Sequence, residues 1–251
     1  MNSRLQLYLS AATLLNFVLS DLTLAHADQA AFRPVADTSI LSDYPTYNFG
    51  GYYTFVSGGR PLGGTSRGLL RFDVTPLPAD VIITSASLRL TVVDVPDLSV
   101  DSIFDLHRLT ASWGEGNGKD RGGYPALAGE STWDNRFGTS GSPWATPGGD
   151  FLSTTSASTL IDSLGGNYTF DSTPGLVADV QAWLNDPASN YGWLLESESG
   201  SIGRTIRRFA SRTATFSPLL SIEYTVIPEP GIPSFLILSL AALTWRRRFA
   251  K

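Results

Sequence analysis

Apolar and polar residues alternate along much of the chain between positions 32 and 224, which is the pattern of half-buried β-strands. Residues 85–93 place Leu88, Leu90 and Val92 on one face and polar side chains on the other. Similar short runs occupy residues 52–56, 69–74, 103–109, 193–195, 205–209 and 220–226. Turn-forming glycine, proline and aspartate residues separate these runs. The pattern predicts an all-β sandwich of short antiparallel strands.

One segment follows the helical period instead. Leu176, Val177, Val180, Trp183 and Leu184 recur at the spacing that places them on one face of a short helix. The Asn-Asp-Pro sequence at 185–187 ends the pattern. We therefore expect one helix in the last third of the domain, with Trp183 in the core.

The segment 111–150 shows neither period. It holds ten glycines and three prolines, which predicts a long loop, and four large aromatic residues: Trp113, Tyr124, Trp133 and Trp144. Exposed rings can stack on the apolar faces of sugars. We interpret Trp113 and Trp133 as plugs at the end of the sandwich. The candidate sugar-binding aromatics are Tyr124 and Trp144, together with Tyr44, Tyr47 and Tyr52.

The N-terminus has the order of a secretory signal peptide. Arg4 precedes a mostly apolar stretch at residues 5–24, and Ala25-His26-Ala27 supplies small residues at both positions before a cleavage site. We place the cut after Ala27. Export is therefore expected, and the mature domain is predicted over residues 28–227.

The C-terminus contains a proline-rich motif, an apolar run and a basic cluster in that order. The motif is Pro228-Glu229-Pro230, the run covers residues 232–245, and Arg246-Arg247-Arg248 follow. Fourteen helical residues span roughly 21 Å, short of a hydrocarbon core of roughly 30 Å. The arginines would keep this end in the cytoplasm.

This tail resembles the PEP-CTERM sorting signal. The resemblance implies a sorting signal at 228–251 that contains a short transmembrane helix, and recognition of the Pro228-Glu229-Pro230 motif by an exosortase-type membrane enzyme. It also implies a location at the surface or in the extracellular matrix of a Gram-negative bacterium, after transient anchoring in the inner membrane. A permanent tail anchor is the alternative.

Charge and composition exclude several function classes. The chain carries 18 basic and 23 acidic side chains, and residues 28–227 keep 13 and 21 of them, a net charge of −8. Such a surface repels phosphate backbones, so we expect no nucleic-acid partner. No cysteine is present, which excludes disulfides and thiol chemistry.

His107 is the only histidine after the signal peptide, and no nucleophile accompanies it in sequence, so we expect a structural histidine.

Short blocks over nearly the whole mature region resemble those of a DNRLRE domain. The blocks lie at residues 37–40, 48–50, 67–73, 83–90, 113–115, 132–135, 179–183, 190–195, 209–211 and 218–224. The family is similar to carbohydrate-binding modules. It implies a jelly-roll sandwich without enzymatic activity. The gaps after Glu115 and Asn135 look longer than is usual in the family, so a ligand site within them cannot be carried over from relatives.

The only metal that we expect is a structural calcium ion. Jelly-roll modules often hold a structural calcium near the first strand, and by that analogy Asp37 and Asp179 are candidate ligands. Four aspartates between positions 94 and 105 lack the spacing of a calcium loop. No cofactor is otherwise expected.

These features together predict an exported, non-catalytic surface or matrix protein that binds extracellular polysaccharide. Two alternatives stay open. One is a purely structural biofilm or appendage component without sugar affinity. The other is a polysaccharide hydrolase or lyase, for which 21 acidic residues offer too many carboxylate pairs for the sequence to select one.

Overall fold

The alternating segments form β-strands in the computed structural model, which describes residues 27–138, 141–200 and 203–227. The strands are β1 Ala27–Phe32, β2 Pro34–Leu41, β3 Tyr47–Asn48, β4 Thr54–Gly59, β5 Thr65–Phe72, β6 Val81–Asp94, β7 Ser102–Leu109, β8 Tyr124–Pro125, β9 Phe151–Ile161, β10 Gly166–Phe170, β11 Trp193–Ser197, β12 Arg207–Ala210 and β13 Leu219–Val226. The all-β expectation is confirmed. Asp28–Tyr224 form one unit by their contacts.

Eleven of the strands form one continuous sheet that curls into two layers. Its order is β1-β13-β6-β12-β4-β5-β11-β7-β9, with β10 also on β6 and β2 also on β5. The pairings with a defined register are antiparallel. We call β1, β13, β6, β10 and β12 the first layer and β2, β5, β11, β7 and β9 the second layer.

Strand β4 connects the two layers. Its first four residues pair with β12, whereas Gly58 and Gly59 pair with Ser66 and Thr65 of β5. Gly58 has a φ of +115°, and an added Cβ would lie 2.6 Å from the Thr205 carbonyl oxygen. Only glycine fits this corner, because any side chain would clash with the backbone of the neighbouring chain segment.

The main core fills the space between the layers. Leu88, Leu90 and Val92 of β6 face inward as predicted, and Phe209 of β12 stacks on Phe55 of β4 with ring centroids 5.2 Å apart. The core also takes in alternate residues of the second layer, including Leu70, Phe72, Phe104, Leu106, Trp193 and Leu195. The two layers are therefore a jelly-roll-like sandwich in the sense of sheets packed face to face.

The predicted helix is confirmed as α1, Pro174–Asn185. Thr173 caps it by accepting the Leu176 N–H at 3.1 Å, and a proline occupies its first turn, where the missing N–H costs nothing. Trp183 packs in the main core against Trp193, with ring centroids 4.4 Å apart. The expectation that Trp183 is a core residue is therefore correct.

A second core lies on the outer face of the second layer. Leu69 of β5 and Leu194 of β11 point away from the main core, and Ile40 of β2 joins them. Trp113 and Trp144, from the segment between β7 and β9, cover these residues. We call residues 110–150 the insertion. It is largely irregular, as expected, but it packs as a third layer over the second one.

Arg207 of β12 is fully buried and bonds to backbone carbonyls. Its guanidinium donates to the carbonyl oxygens of Val100, Ile161, Asp162, Thr205 and Ile206 at 2.7–3.3 Å. Burial lowers the pKa of Arg207, whereas nearby Tyr168, Asp101 and Asp162 oppose that shift. One side chain thus joins β12 to the ends of the β6–β7 and β9–β10 connections.

The predicted signal-peptide helix and the predicted tail helix lie outside the described residues. The same holds for the sorting-motif residues Pro228, Glu229, Pro230, Arg246, Arg247 and Arg248. Within the described ranges, no helix has both the length and the apolar character to cross a membrane.

Candidate functional site

An open groove of about 680 Å³ runs along the edge of the second core. Strands β5 and β9 supply Arg67, Phe151 and Ser153, and the insertion supplies Trp133 and Thr146. Trp133 and Phe151 are half-buried, whereas Thr146 and Ser153 are exposed. The groove therefore combines the rigid second layer with side chains of the insertion.

Arg67 is fixed in position by contacts on several sides. Its Nε lies 2.8 Å from a Glu196 carboxylate oxygen, and its Nη1 donates to the Gly148 carbonyl at 2.8 Å. The guanidinium carbon is 5.2 Å from the Trp133 ring centroid and 5.0 Å from that of Phe151. These distances fit cation–π contacts, so the arginine and the two rings form one packed unit.

Backbone hydrogen bonds hold the insertion wall of the groove. Both carboxylate oxygens of Asp150 accept backbone N–H groups, from Ala145 at 3.0 Å and Thr146 at 3.1 Å. Gly148 donates its N–H to the Trp133 carbonyl at 2.7 Å and has a φ of +97°. A Cβ there would lie 2.7 Å from the Trp133 ring. The groove is therefore formed before any ligand binds.

None of the predicted tyrosines is among the residues that line the groove. Tyr47 and Tyr124 lie on β3 and β8, which pair antiparallel. The rings of Tyr44 and Tyr47 are 5.6 Å apart, and Tyr52 lies 4.3 Å from Tyr53. Tyr44 is 40 % exposed. A sugar-binding role for these side chains stays a prediction.

Trp144 corrects our expectation of an exposed aromatic. It is only 3 % exposed, belongs to the second core and donates its indole N–H to the Thr132 carbonyl at 2.9 Å. Its ring faces are covered because the insertion folds onto an apolar sheet face. Trp113 is buried as expected, but it covers the outer face of the second layer rather than the end of the sandwich.

Asp37 and Asp179, the candidate calcium ligands, have separate protein partners. Asp179 of α1 accepts hydrogen bonds from Ser156 Oγ at 2.6 Å and from Trp193 Nε1 at 2.7 Å. Asp37 of β2 accepts the Arg212 backbone N–H at 2.5 Å. Across the described ranges, no group of three or more His, Asp or Glu side chains is arranged to hold a metal. Calcium binding stays a prediction.

Asp37 is the buried member of a charged cluster that ties the insertion to β2. Its own N–H donates to Glu115 at 2.9 Å, and Glu115 also pairs with the Arg212 guanidinium at 2.5 and 2.7 Å. Burial raises the pKa of Asp37 to about 7, and the charge of Glu115 adds to the rise. The N–H and the charge of Arg212 oppose it.

His107 makes one hydrogen bond through its ring, and its other ring nitrogen faces a carboxylate at a longer distance. Its Nδ1 donates to the Leu152 carbonyl at 2.9 Å, and its Nε2 lies 3.6 Å from Glu196. The side chain is buried, and the structural role expected for it stays a prediction.

Arg67 and Phe151 were not identified as site residues from the sequence, and Trp133 was interpreted as a plug. Two consecutive leucine pairs, Leu69-Leu70 and Leu194-Leu195, break the strict alternation of β5 and β11. A strand with apolar residues on both faces must be covered on both faces. That signal would have indicated that a further segment of the chain covers the outer face of these strands.

We expect Trp144→Ala to lower the free energy of unfolding by about 3–5 kcal/mol, because a buried aromatic leaves a cavity when it is truncated. Tyr53→Ala, at a ring that is 59 % exposed, is the matched control and should change stability by about 0.5 kcal/mol or less. Urea unfolding of both variants measures this. Equal stability of Trp144→Ala and the parent would contradict the second core.

We expect Asp37 to make stability depend on pH. The pKa of this carboxyl group rises from 3.8 in the unfolded chain to about 7 in the fold. Its contribution to stability is therefore fully present at a pH below 3.8, where the group is protonated in both states. This contribution is lost as pH rises through that interval. Asp37→Asn should therefore gain stability relative to the parent between the two values. Urea unfolding across this range measures the difference.

Asp80→Asn, at an exposed aspartate in the β5–β6 turn, is the control and should show no such trend.

The same proteins test the calcium prediction. If Ca²⁺ binds Asp37, adding it at neutral pH raises the melting temperature of the parent and leaves that of Asp37→Asn unchanged. No effect of Ca²⁺ on the parent would contradict a calcium site at Asp37.

Comparisons with known proteins do not place the chain in a family. No protein-family model matches the sequence, and a search of the curated proteins finds no relative. The resemblances to DNRLRE domains and to PEP-CTERM tails therefore stay predictions from the motifs. The geometry of the groove is the observation from which a function can be argued.

Proposed function

We propose that the protein is an exported, non-catalytic surface or matrix protein that binds polysaccharide in the groove at the edge of the second core. The observation that carries this proposal is the preformed groove with an arginine packed against two aromatic rings. The resemblance of the sequence blocks to carbohydrate-binding modules points the same way.

The chemistry of the groove suits a sugar. Its volume of about 680 Å³ falls within the range of small-molecule sites, roughly 300–1,000 Å³. The Trp133 and Phe151 rings offer apolar surface for the C–H faces of a pyranose. Threonine and serine hydroxyls along the groove, at Thr65, Thr110, Thr146 and Ser153, can exchange hydrogen bonds with sugar hydroxyls. A site fixed in advance binds at a smaller ordering cost than one that must first take shape.

The groove favours binding over hydrolysis. Among the described residues that line it, Asp150 is the only carboxylate, and both of its oxygens accept backbone N–H groups. A glycosidase generally needs two carboxylates across the scissile bond. This supports binding without turnover, although a hydrolase or lyase is the second candidate and is tested below.

Export and sorting complete the proposal. The signal peptide would deliver the domain across the inner membrane, and the PEP-CTERM-like tail would present Pro228-Glu229-Pro230 to an exosortase-type enzyme. The domain would then act at the cell surface or in the extracellular matrix. The motifs described in the sequence carry this part of the proposal.

The groove is tested by variants at two of its walls. We expect Trp133→Ala to weaken polysaccharide binding by about 1 kcal/mol or more, about fivefold, by analogy with the stacking of bases on aromatic rings. Ser153→Trp should also weaken binding, because it fills the groove from an exposed position of β9 without touching the second core. Affinity gel electrophoresis against a panel of polysaccharides measures both.

Phe216→Ala is the matched control, since this ring is 67 % exposed and does not line the groove. Binding by the parent that survives both groove variants would place the glycan elsewhere, with the tyrosines as the next candidates. No binding by the parent to any polysaccharide would favour a purely structural biofilm or appendage component. Release of reducing ends or unsaturated sugars would identify a hydrolase or lyase.

The sorting part is tested separately in the native host. We expect mass spectrometry of the surface fraction to find an N-terminus at Asp28 and a C-terminus near Pro228-Glu229-Pro230, because both signals are predicted to be removed. Recovery of peptides from the tail through Lys251 in that fraction would favour a permanent anchor.

A further inference from the structure

A second, smaller cavity lies where the insertion meets β4 and β12. It has a volume of about 30 Å³ and is bordered by three arginines, Arg60, Arg121 and Arg208, together with Tyr52 and Thr54. We call it the arginine cleft. It shares no lining residue with the groove.

The arginines outnumber the carboxylates that pair with them. Arg60 lies 2.8 Å from Asp43, whereas Arg121 and Arg208 share Asp94, at 3.3 and 3.0 Å. Three guanidinium groups therefore face two carboxylates, neither of which borders the cleft. Burial lowers the pKa of Arg208, and the positive charges of Arg121 and Arg60 add to this shift. Asp94 and Tyr52 oppose it.

One buried polar group of the cleft, the Thr54 hydroxyl, has no hydrogen-bond partner among the residues that the structure describes. Thr54 is 5 % exposed, and its hydroxyl oxygen bonds to no other group. Arg208 Nε lies 3.0 Å from a carboxylate oxygen of Asp94, with which it forms an ion pair. Buried polar atoms in native proteins nearly always have a partner. A buried hydroxyl without a partner, beside three guanidinium groups that face two carboxylates, can donate to an anion that enters the cleft.

The floor of the cleft strengthens any ion pair formed there. Leu41, Phe49, Val56 and Ile206 form an apolar cluster beneath the arginines, and all four border the cleft. Attraction between opposite charges increases where apolar groups replace water. The geometry is thus that of a site for a compact anion held by guanidinium forks.

We propose that the arginine cleft binds a small oxyanion, which is a carboxylate, sulfate or phosphate group, through Arg60, Arg121 and Arg208 with the Thr54 hydroxyl as an additional donor. The site goes beyond the proposed groove and does not depend on it. The oxyanion could be a free ion or a substituent on a polymer, and the experiment separates these sources.

The test is isothermal titration calorimetry of the mature domain with inorganic sulfate, inorganic phosphate and acetate at constant ionic strength. We expect saturable binding of at least one ion. The double variant Arg60→Gln/Arg121→Gln should lose at least about tenfold in affinity, since each variant removes a charged hydrogen-bond donor. Arg89→Gln, an exposed arginine on β6 outside the cleft, should bind like the parent.

Two further variants separate a ligand site from a structural role. Asp94→Asn should bind the anion more tightly, because Arg121 and Arg208 lose their competing carboxylate. Thr54→Val removes a hydroxyl that has no partner in the fold, so it should fold at least as stably as the parent while its anion affinity falls. A merely structural cluster would show neither effect.

A matched pair of polymers identifies the source. Carboxymethyl cellulose and hydroxyethyl cellulose share one backbone, but only the first carries carboxylates. Binding of the first alone, lost in the double variant, supports an oxyanion on a polymer. Saturable binding of the inorganic ions that is lost in the same variant supports a free ion. No saturable binding of any probe, or binding unchanged in the double variant, overturns the proposal.

Discussion

The two apolar faces of the second layer dictate how the rest of the molecule is built. Leu70 and Leu195 close the main core, whereas Leu69 and Leu194, their neighbours in sequence, face the opposite way. Burying each such side chain contributes roughly 1.5–3 kcal/mol, so an uncovered outer face would be costly. The insertion satisfies this constraint. Trp113 and Trp144 are therefore used for packing, and the groove arises where the covering layer ends.

Side chains that bond to backbone groups hold the loops in a chain without cysteine. Asn48 accepts N–H groups of Gly50 and Gly118 and donates to the carbonyls of Glu115 and Ser131. Glu130, Asp150 and Arg207 act in the same way at other loops. Irregular backbone cannot satisfy its own polar groups, and buried polar side chains take that role. This explains how a glycine-rich insertion keeps a fixed shape.

Sequence periodicity predicted the elements whose inward residues are apolar, such as β6 and α1. It missed β9, whose Ser- and Thr-rich sequence hides a strand in which Ala157 and Ile161 face the core. The site was harder to predict, because Trp133 and Trp144 lie in the same irregular segment. One is half-buried at the groove and the other is buried in the second core, and this difference depends on tertiary packing. Loop aromatics carry no periodic signal of burial. Tyr44 and Tyr52, two of the predicted aromatics, lie near Arg60, and their role in sugar binding stays a prediction.

Both candidate surfaces depend on the insertion in different ways. The groove takes Arg67 and Phe151 from strands and Trp133 from the insertion, so its floor belongs to the scaffold. The arginine cleft takes Arg121 from the insertion and its other arginines from β12 and the β4–β5 connection. Removing the insertion would destroy both surfaces and expose the second core at once. The insertion therefore contributes both to stability and to ligand recognition. Only substitutions of single side chains at its surface can change recognition without changing stability.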